Sequence, residues 1–342
     1  MNIYAQADKM PVKHIVGPSY DLWRLGSPND VQVQHFPGAV LIGGGPDCDD
    51  AFKHFILNAN GGDLLVLRAS GADDYNPYIM QLSLDDPTLK PLNSVTTILT
   101  NARDASFDAT VLAYIRNAAA IFVAGGDQGV YLDYWSATPV QSIIQDKLVD
   151  TTYGGTSAGL AIMGNYIYPA HVGSATSEVV LANPYDPIVE LASAYVKIPY
   201  MGTVFTDTHF CTRDRMGRLL TFLSRELQDG LAVLPLRGVG VDEQTALILD
   251  VSNGNVRAVG KSFAFICTPA GLPKVCVPNQ PLTSTDISCI RLNATAGDTF
   301  SFKSFTGQGV QYINSIVNGA FTVPYPEQYG PGAQPFIHTD DA

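Results

Sequence analysis

Gly154-Gly155-Thr156-Ser157-Ala158-Gly159 runs directly into Leu160-Ala161-Ile162-Met163. Small residues on both sides of a serine allow a sharp, strained turn that holds its hydroxyl clear. The pattern is that of a nucleophile elbow between a strand and a helix, against the plainer reading of a Gly-rich turn. A serine hydroxyl needs a base to take its proton, and the base needs an orienting group. His209 is the candidate base, because it follows the apolar run Val204-Phe205-Thr206-Asp207 and so sits at a strand end. His14, His35, His54 and His171 lie apart from other candidate groups, and His338 is near the C-terminus. An oxyanion hole needs two backbone N–H groups. The amide of Ala158 supplies one. Gly125 or Gly126 offers the other, since glycine lets backbone approach a ligand closely. Cys211 is a weaker nucleophile candidate, because nothing around it forms an exposing turn.

These residues need a scaffold. Ala39-Val40-Leu41-Ile42 leads into Gly43-Gly44-Gly45, Leu64-Leu65-Val66-Leu67 into Ala69-Ser70-Gly71, and Ala120-Ile121-Phe122-Val123 into Gly125-Gly126-Asp127-Gln128. Val95-Thr96-Thr97-Ile98-Leu99 is a further run of this kind. Near-continuous apolar strands with helices between them predict an α/β fold, a mostly parallel sheet covered on both faces. Sites in such sheets form at the carboxyl ends of the strands, where these Gly-rich turns fall. Gly43-Gly44-Gly45 lacks a dinucleotide fingerprint, since Cys48 stands at the sixth position, so no cofactor is expected.

Met216, Leu219, Leu220, Leu223 and Leu227 form one apolar stripe of a helix. Arg213 and Arg215 fall at its N-terminal end, where the helix dipole disfavours cations. They call for a carboxylate partner, either a ligand or an acid such as Asp214. From about Ala246 the texture turns β-rich, with turns at Ser252-Asn253-Gly254-Asn255 and Pro278-Asn279. The expected organisation is an α/β catalytic domain over 1–249, a β-rich C-terminal region over 250–323 and a Pro/Gly-rich surface tail over 324–342.

Of 342 residues, 46% are hydrophobic and 15% charged, enough apolar surface for a large core. The net charge of −12 disfavours nucleic acid and anionic membrane as partners. No stretch reads as a transmembrane span. Met1–Ala7 lacks the apolar core of a signal peptide, which is read as a mature or trimmed chain. Three of the five cysteines, Cys267, Cys276 and Cys289, crowd the C-terminal third beside the sequon Asn293-Ala294-Thr295. This leans toward a secreted protein over a cytoplasmic one, with a Cys267–Cys276 or Cys276–Cys289 bridge. No Cys/His spacing suggests a metal site.

The ordered set of motifs resembles the cyanophycinases of peptidase family S51, which also holds the aspartyl dipeptidases. It comprises Leu41-Ile42-Gly43-Gly44-Gly45, Phe122-Val123-Ala124-Gly125-Gly126-Asp127-Gln128, the Ser157 elbow, Asp207-Thr208-His209-Phe210 with Arg213, Arg215 and Arg218, and Gly238 through Ala246. The resemblance covers roughly Gly38 to Leu249. It implies a flavodoxin-like sheet related to class I glutamine amidotransferases, and a homodimer. It also implies a serine exopeptidase that releases β-Asp-Arg dipeptides from cyanophycin, a poly-aspartate carrying arginine on its side chains. Alternatives are an aspartyl or isoaspartyl dipeptidase and a non-catalytic binding homologue. Under the resemblance Ser157 is the nucleophile and His209 the base. Gln128 and Asp207 contact substrate, and Arg213, Arg215 and Arg218 bind its carboxylates or brace the pocket. Glu178 is the favoured third triad member, with Glu243 next. Thr208 and Cys211 depart from the family's usual Gln and Ser, which leaves substrate preference open.

Overall fold

The computed structural model describes residues 6–334. The expected tail beyond 334, with His338, and the first five residues lie outside the described residues.

Two sheets organise the chain. The first has eleven strands in the order β1 (Val12–Val16), β2 (Tyr20–Gly26), β5 (Ser94–Thr100), β4 (Asp63–Arg68), β6 (Ala120–Val123), β7 (Thr152–Thr156), β3 (Gly38–Ile42), β12 (Thr245–Asp250), β13 (Asn255–Gly260), β16 (Thr299–Ser301) and β17 (Thr306–Gly307). Its centre, β5-β4-β6-β7-β3, is parallel, and antiparallel strands extend both edges. The second has eight: β19 (Ala320–Phe321), β18 (Val310–Val317), β15 (Ser284–Asn293), β14 (Phe263–Pro269), β11 (Arg237–Val241), β10 (Val204–Asp207), β8 (Tyr166–Ile167) and β9 (Ala192–Ser193). Here β8, β10 and β11 run parallel. The helices are α1 (Asp49–Ala59), α2 (Tyr75–Asp85), α3 (Ala109–Asn117), α4 (Gln128–Trp135), α5 (Pro139–Lys147), α6 (Ala158–Ala161), α7 (Ser177–Ala182) and α8 (Met216–Gln228).

Strand periodicity divides the core. β3 sends Val40 and Ile42 to a cluster shared with Phe52, Phe55 and Ile79 of α1 and α2. Ala39 and Leu41 of the same strand join Val111, Ile115, Trp135 and Ile144 of α3 to α5. Successive side chains point to opposite faces, so a strand buried on both sides must be apolar throughout, as β3 is. The cluster under α3 to α5 also takes in Val204, Val239 and Val241 of β10 and β11, which packs the second sheet against the first. The stripe Met216, Leu219, Leu220 and Leu223 of α8 fills the other face of the second sheet.

The strands after α8 add to both sheets. β12, β13, β16 and β17 continue the first, while β14, β15, β18 and β19 continue the second. The strands β1 and β2 carried no clear sequence signal, because β2 mixes Tyr20, Trp23 and Arg24 with its aliphatic residues.

Two expectations are corrected. Residues 324–334 do not run over the surface throughout, because Tyr329 is fully buried and Gln328 is 3% exposed. The cysteine pairings also differ from the structure. β14 and β15 set Cys267 directly opposite Cys289, with sulfurs 3.1 Å apart, and Cys276 lies in the connection between those strands. All five thiols are free and buried. No helix among the described residues is long and apolar enough to cross a membrane.

Candidate active site

Five strands deliver the site, each from its carboxyl end. Ser157 follows β7, Gly43-Gly44-Gly45 follows β3, and Gly125-Gly126 follows β6. From the second sheet, His209 lies just past β10 and Glu243 just past β11. Convergence at the carboxyl ends is what a parallel sheet offers.

Ser157 sits at φ 52°, ψ −116°, a conformation rare for a residue with a side chain. Its N–H donates to the carbonyl of Ile42 at 3.1 Å. The elbow closes tightly enough that a Cβ on Gly155 would stand 2.6 Å from the carbonyl carbon of Gly159. Only glycine fits there, which explains the small residues around the serine.

The hydroxyl of Ser157 lies 2.7 Å from Nε2 of His209. Nδ1 of the same ring lies 2.6 Å from Oε1 of Glu243. With the proton on Nδ1 and donated to the carboxylate, Nε2 is left to accept from the serine. His209 itself is held at φ 46°, with its N–H on the carbonyl of Gly43 at 2.8 Å. Gln244, at φ 53°, donates its N–H to the carbonyl of Gly44 at 3.0 Å. Strain gathered at these three positions is tolerated where surrounding contacts over-determine it. The loop after β3 roofs the ring: a Cβ on Gly44 would lie 2.5 Å from His209 Nε2.

Asp242 ties the turn of His209 to the segment of Glu243. Its Oδ1 accepts from the N–H groups of Cys211 and Thr212, both at 3.0 Å, and from the Thr212 hydroxyl at 2.9 Å. Its Oδ2 accepts from Ser262 at 2.6 Å. The turn carrying His209 is therefore fixed to the strand end carrying Glu243.

Burial pushes His209 well below the ordinary imidazole range, and Arg215, Arg213 and Arg218 add to this. Burial also raises Glu243, opposed by Arg213. The ring is 5% exposed and stays neutral at neutral pH, the form a general base needs.

Glu178, the favoured acid from sequence, is corrected. It lies exposed on α7, whereas Nδ1 of His209 is taken by Glu243. Sequence order alone does not show which acid reaches a ring nitrogen.

Asp207 is also placed differently from the expected substrate contact. It is 3% exposed and holds Arg218 in a two-pronged pair, at 2.9 Å to Nε and 2.5 Å to Nη2. Such geometry matches the guanidinium fork to the carboxylate. Arg218 further donates to Ser174 Oγ and the Ala175 carbonyl, each at 3.2 Å. Arg215 donates to the Thr208 carbonyl and hydroxyl, each at 3.1 Å. Thr208 thus helps hold Arg215.

A cavity of about 290 Å³ opens over Ser157 and His209. Gly126, Gln128, Ser174 and the three arginines Arg213, Arg215 and Arg218 line it, a cationic pocket in an anionic protein. Ala158 begins α6, so its amide lies at a helix start beside the serine. The backbone at Gly125 runs along Ser157, since a Cβ there would be 3.5 Å from Ser157 Cβ. The Tyr131 hydroxyl lies 2.8 Å from the Gly125 carbonyl. In a trans peptide the N–H opposes the carbonyl, so the Gly126 N–H points away from Tyr131.

A larger cavity, about 650 Å³, lies between α1 and β12, β13 and β16, near Phe36 and His54. It holds no nucleophile beside a base, so size does not locate the chemistry. Among the described residues, no group of three His, Cys, Asp or Glu side chains is placed to hold a metal.

Sequence reasoning missed Asp242 and Ser174. Asp242 stood inside a quoted motif next to Glu243, and Ser174 carried no signal of its own.

Residues 40–182 match the profile of peptidase family S51. A cyanophycinase of Trichormus variabilis is 31% identical over 206 residues, 58% of this chain and 62% of that protein. A cyanophycinase of Geminocystis herdmanii is 34% identical over 156 residues, 45% of this chain and 50% of that protein. The chain thus matches less than two thirds of the length of these curated relatives. The crystal structure of a peptidase from an acI-B1 Actinobacterium superposes with a TM-score of 0.48 at 16% identity, covering 78% of this chain and 98% of that one. Over residues 40–182 the chain is thus similar to peptidase family S51, and the curated relatives named above are cyanophycinases.

Proposed function

We propose that this chain is a serine exopeptidase that hydrolyses cyanophycin to β-Asp-Arg dipeptides through an acyl-enzyme on Ser157. The observation that carries the reading is the unbroken line from Ser157 to His209 to Glu243, at 2.7 and 2.6 Å. His209 takes the serine proton, and the alkoxide attacks a carbonyl next to a β-linked aspartyl residue. The amides of Ala158 and of Gly125 or Gly126 receive the oxyanion. His209 returns its proton to the leaving amine, and water then clears the acyl group with His209 again as base. Glu243 keeps the imidazole in the right tautomer and stabilises it when it is charged. Arg213, Arg215 and Arg218 make the pocket attractive to substrate carboxylates, Gln128 stands on its wall, and Asp207 braces Arg218.

This reading goes with a flavodoxin-like catalytic body over 1–249, a β-rich C-terminal region over 250–323 and a homodimer. The runner-up is an aspartyl or isoaspartyl dipeptidase, favoured by one observation: a 290 Å³ cavity is small for a polymer. The test is incubation with cyanophycin and with matched α- and β-aspartyl peptides, using Ser157→Ala as control. Release of β-Asp-Arg by the wild type alone is expected. Cleavage of short aspartyl peptides with cyanophycin untouched selects the runner-up. Ordinary peptides cut while β-aspartyl bonds survive contradicts both.

A further inference from the structure

We infer that Tyr329, in the C-terminal segment, is a positioning residue for His209, an inference that rests on the serine hydrolase reading above. The base sits on a strained turn from Asp207 to Arg215, with positive φ at both His209 (46°) and Asp214 (48°). Within it, His209 and Phe210 carbonyls accept from Arg213 and Arg215 at 3.0 and 2.9 Å. Two left-handed residues with side chains need outside contacts to hold them.

Tyr329 supplies these from the far end of the chain. Its hydroxyl lies 2.8 Å from Asp214 Oδ1 and 3.3 Å from the Phe210 carbonyl. It also accepts the N–H of Met216, the first residue of α8, at 3.2 Å. One hydroxyl thus touches the residue after His209, the second strained residue and the helix start. The ring packs edge-on against Phe210 at 6.0 Å and Phe265 at 5.6 Å. Burial first, then Asp214, raises the phenol well above its ordinary range, so it stays a neutral donor.

The segment is anchored independently. Arg291 donates to the Tyr329 carbonyl at 3.1 Å, and Asn314 donates to the Gln328 carbonyl at 2.8 Å. β15 and β18 therefore carry the tyrosine to the turn. Tyr329 touches neither Ser157 nor the ring of His209, so its effect passes through the backbone beside the base.

The test measures the rate at which a fluorophosphonate labels Ser157 across pH in wild type, Tyr329→Phe and Tyr195→Phe. Tyr195→Phe removes another buried hydroxyl, one without a hydrogen-bond partner, away from the turn. Small displacements of a catalytic group cost large factors, so Tyr329→Phe is expected to slow labelling by about tenfold and to shift the acid limb of its pH profile. Tyr195→Phe is expected to match wild type. Thermal unfolding confirms that each variant is folded at the assay temperature. Folded Tyr329→Phe labelled at the wild-type rate with an unmoved limb overturns the inference. Equal slowing in both variants also overturns it, because the effect is then general loosening. If wild type itself fails to label, the hydrolase reading falls instead.

Discussion

Replacing Glu243 by Gln changes one atom and removes the charge facing the base. In the proposed reaction His209 becomes an imidazolium, and Glu243 Oε1 lies 2.6 Å from its Nδ1. Unit charges whose centres are about 4 Å apart interact by ~4 kcal/mol at an effective dielectric of 20. The Glu243 side chain keeps 18% of its exposure, so water screens part of this. A loss of about 3 kcal/mol in transition-state stabilisation corresponds to ~10²-fold in rate, since each 1.36 kcal/mol is tenfold. The amide can also hold the ring in the wrong tautomer, which adds to the loss. The assay is the second-order rate of Ser157 labelling by a fluorophosphonate, with hydrolysis of a β-aspartyl peptide in parallel. Glu178→Gln is the matched control, because Glu178 is exposed on α7. Glu243→Gln is expected to fall ~10²-fold, with Glu178→Gln near wild type. If Glu178→Gln collapses while Glu243→Gln retains activity, the acid has been assigned to the wrong residue.

Three further outcomes are expected. Gly44→Ala puts a Cβ 2.5 Å from His209 Nε2 at a position with φ 109°, so labelling should drop by ~10²-fold. A Gly44→Ala protein that labels at the wild-type rate would show that the loop does not fix the ring. Asp207→Ala leaves Arg218, 3% exposed, without its carboxylate, which should cost ~3–5 kcal/mol in urea unfolding. A midpoint within error of wild type would contradict the buried pair. For pH, the folded His209 pKa is depressed below the ordinary 6.5. Just below that value the unfolded chain binds a proton that the folded chain does not, so stability falls with acid by up to ~1.4 kcal/mol per pH unit. Labelling of protein that remains folded should stay flat as pH drops through 6.5, and an acid limb centred there would contradict the neutral buried ring.

The chemistry was legible in the sequence where it depends on local backbone. The Ser157 elbow shows because glycine and alanine must flank a strained residue. His209 shows because an apolar strand ends just before it. The parallel strands β3, β4 and β6 show because burial on both faces makes their central positions continuously apolar. Glu243 ranked only second as the candidate acid, because reaching Nδ1 depends on how β10 and β11 pair, and that register involves residues far apart in the chain. Asp207 was expected as a substrate contact from the family resemblance, and its pairing with Arg218 shows only once α8 is placed beside the end of β10. Tyr329 sits in a Pro- and Gly-rich stretch that reads as surface tail, and only its docking against Phe210 and Phe265 buries it. The Cys267–Cys289 juxtaposition likewise follows from the pairing of β14 with β15 and not from sequence spacing.

The central claim is that Ser157 is a nucleophile activated by His209. The most direct measurement is peptide mass mapping of the folded chain after treatment with a fluorophosphonate, in wild type and in His209→Ala. One adduct on the peptide containing Ser157 is expected in wild type, and little or none in His209→Ala. An unmodified Ser157 in folded wild type, or equal modification in both proteins, would contradict the account.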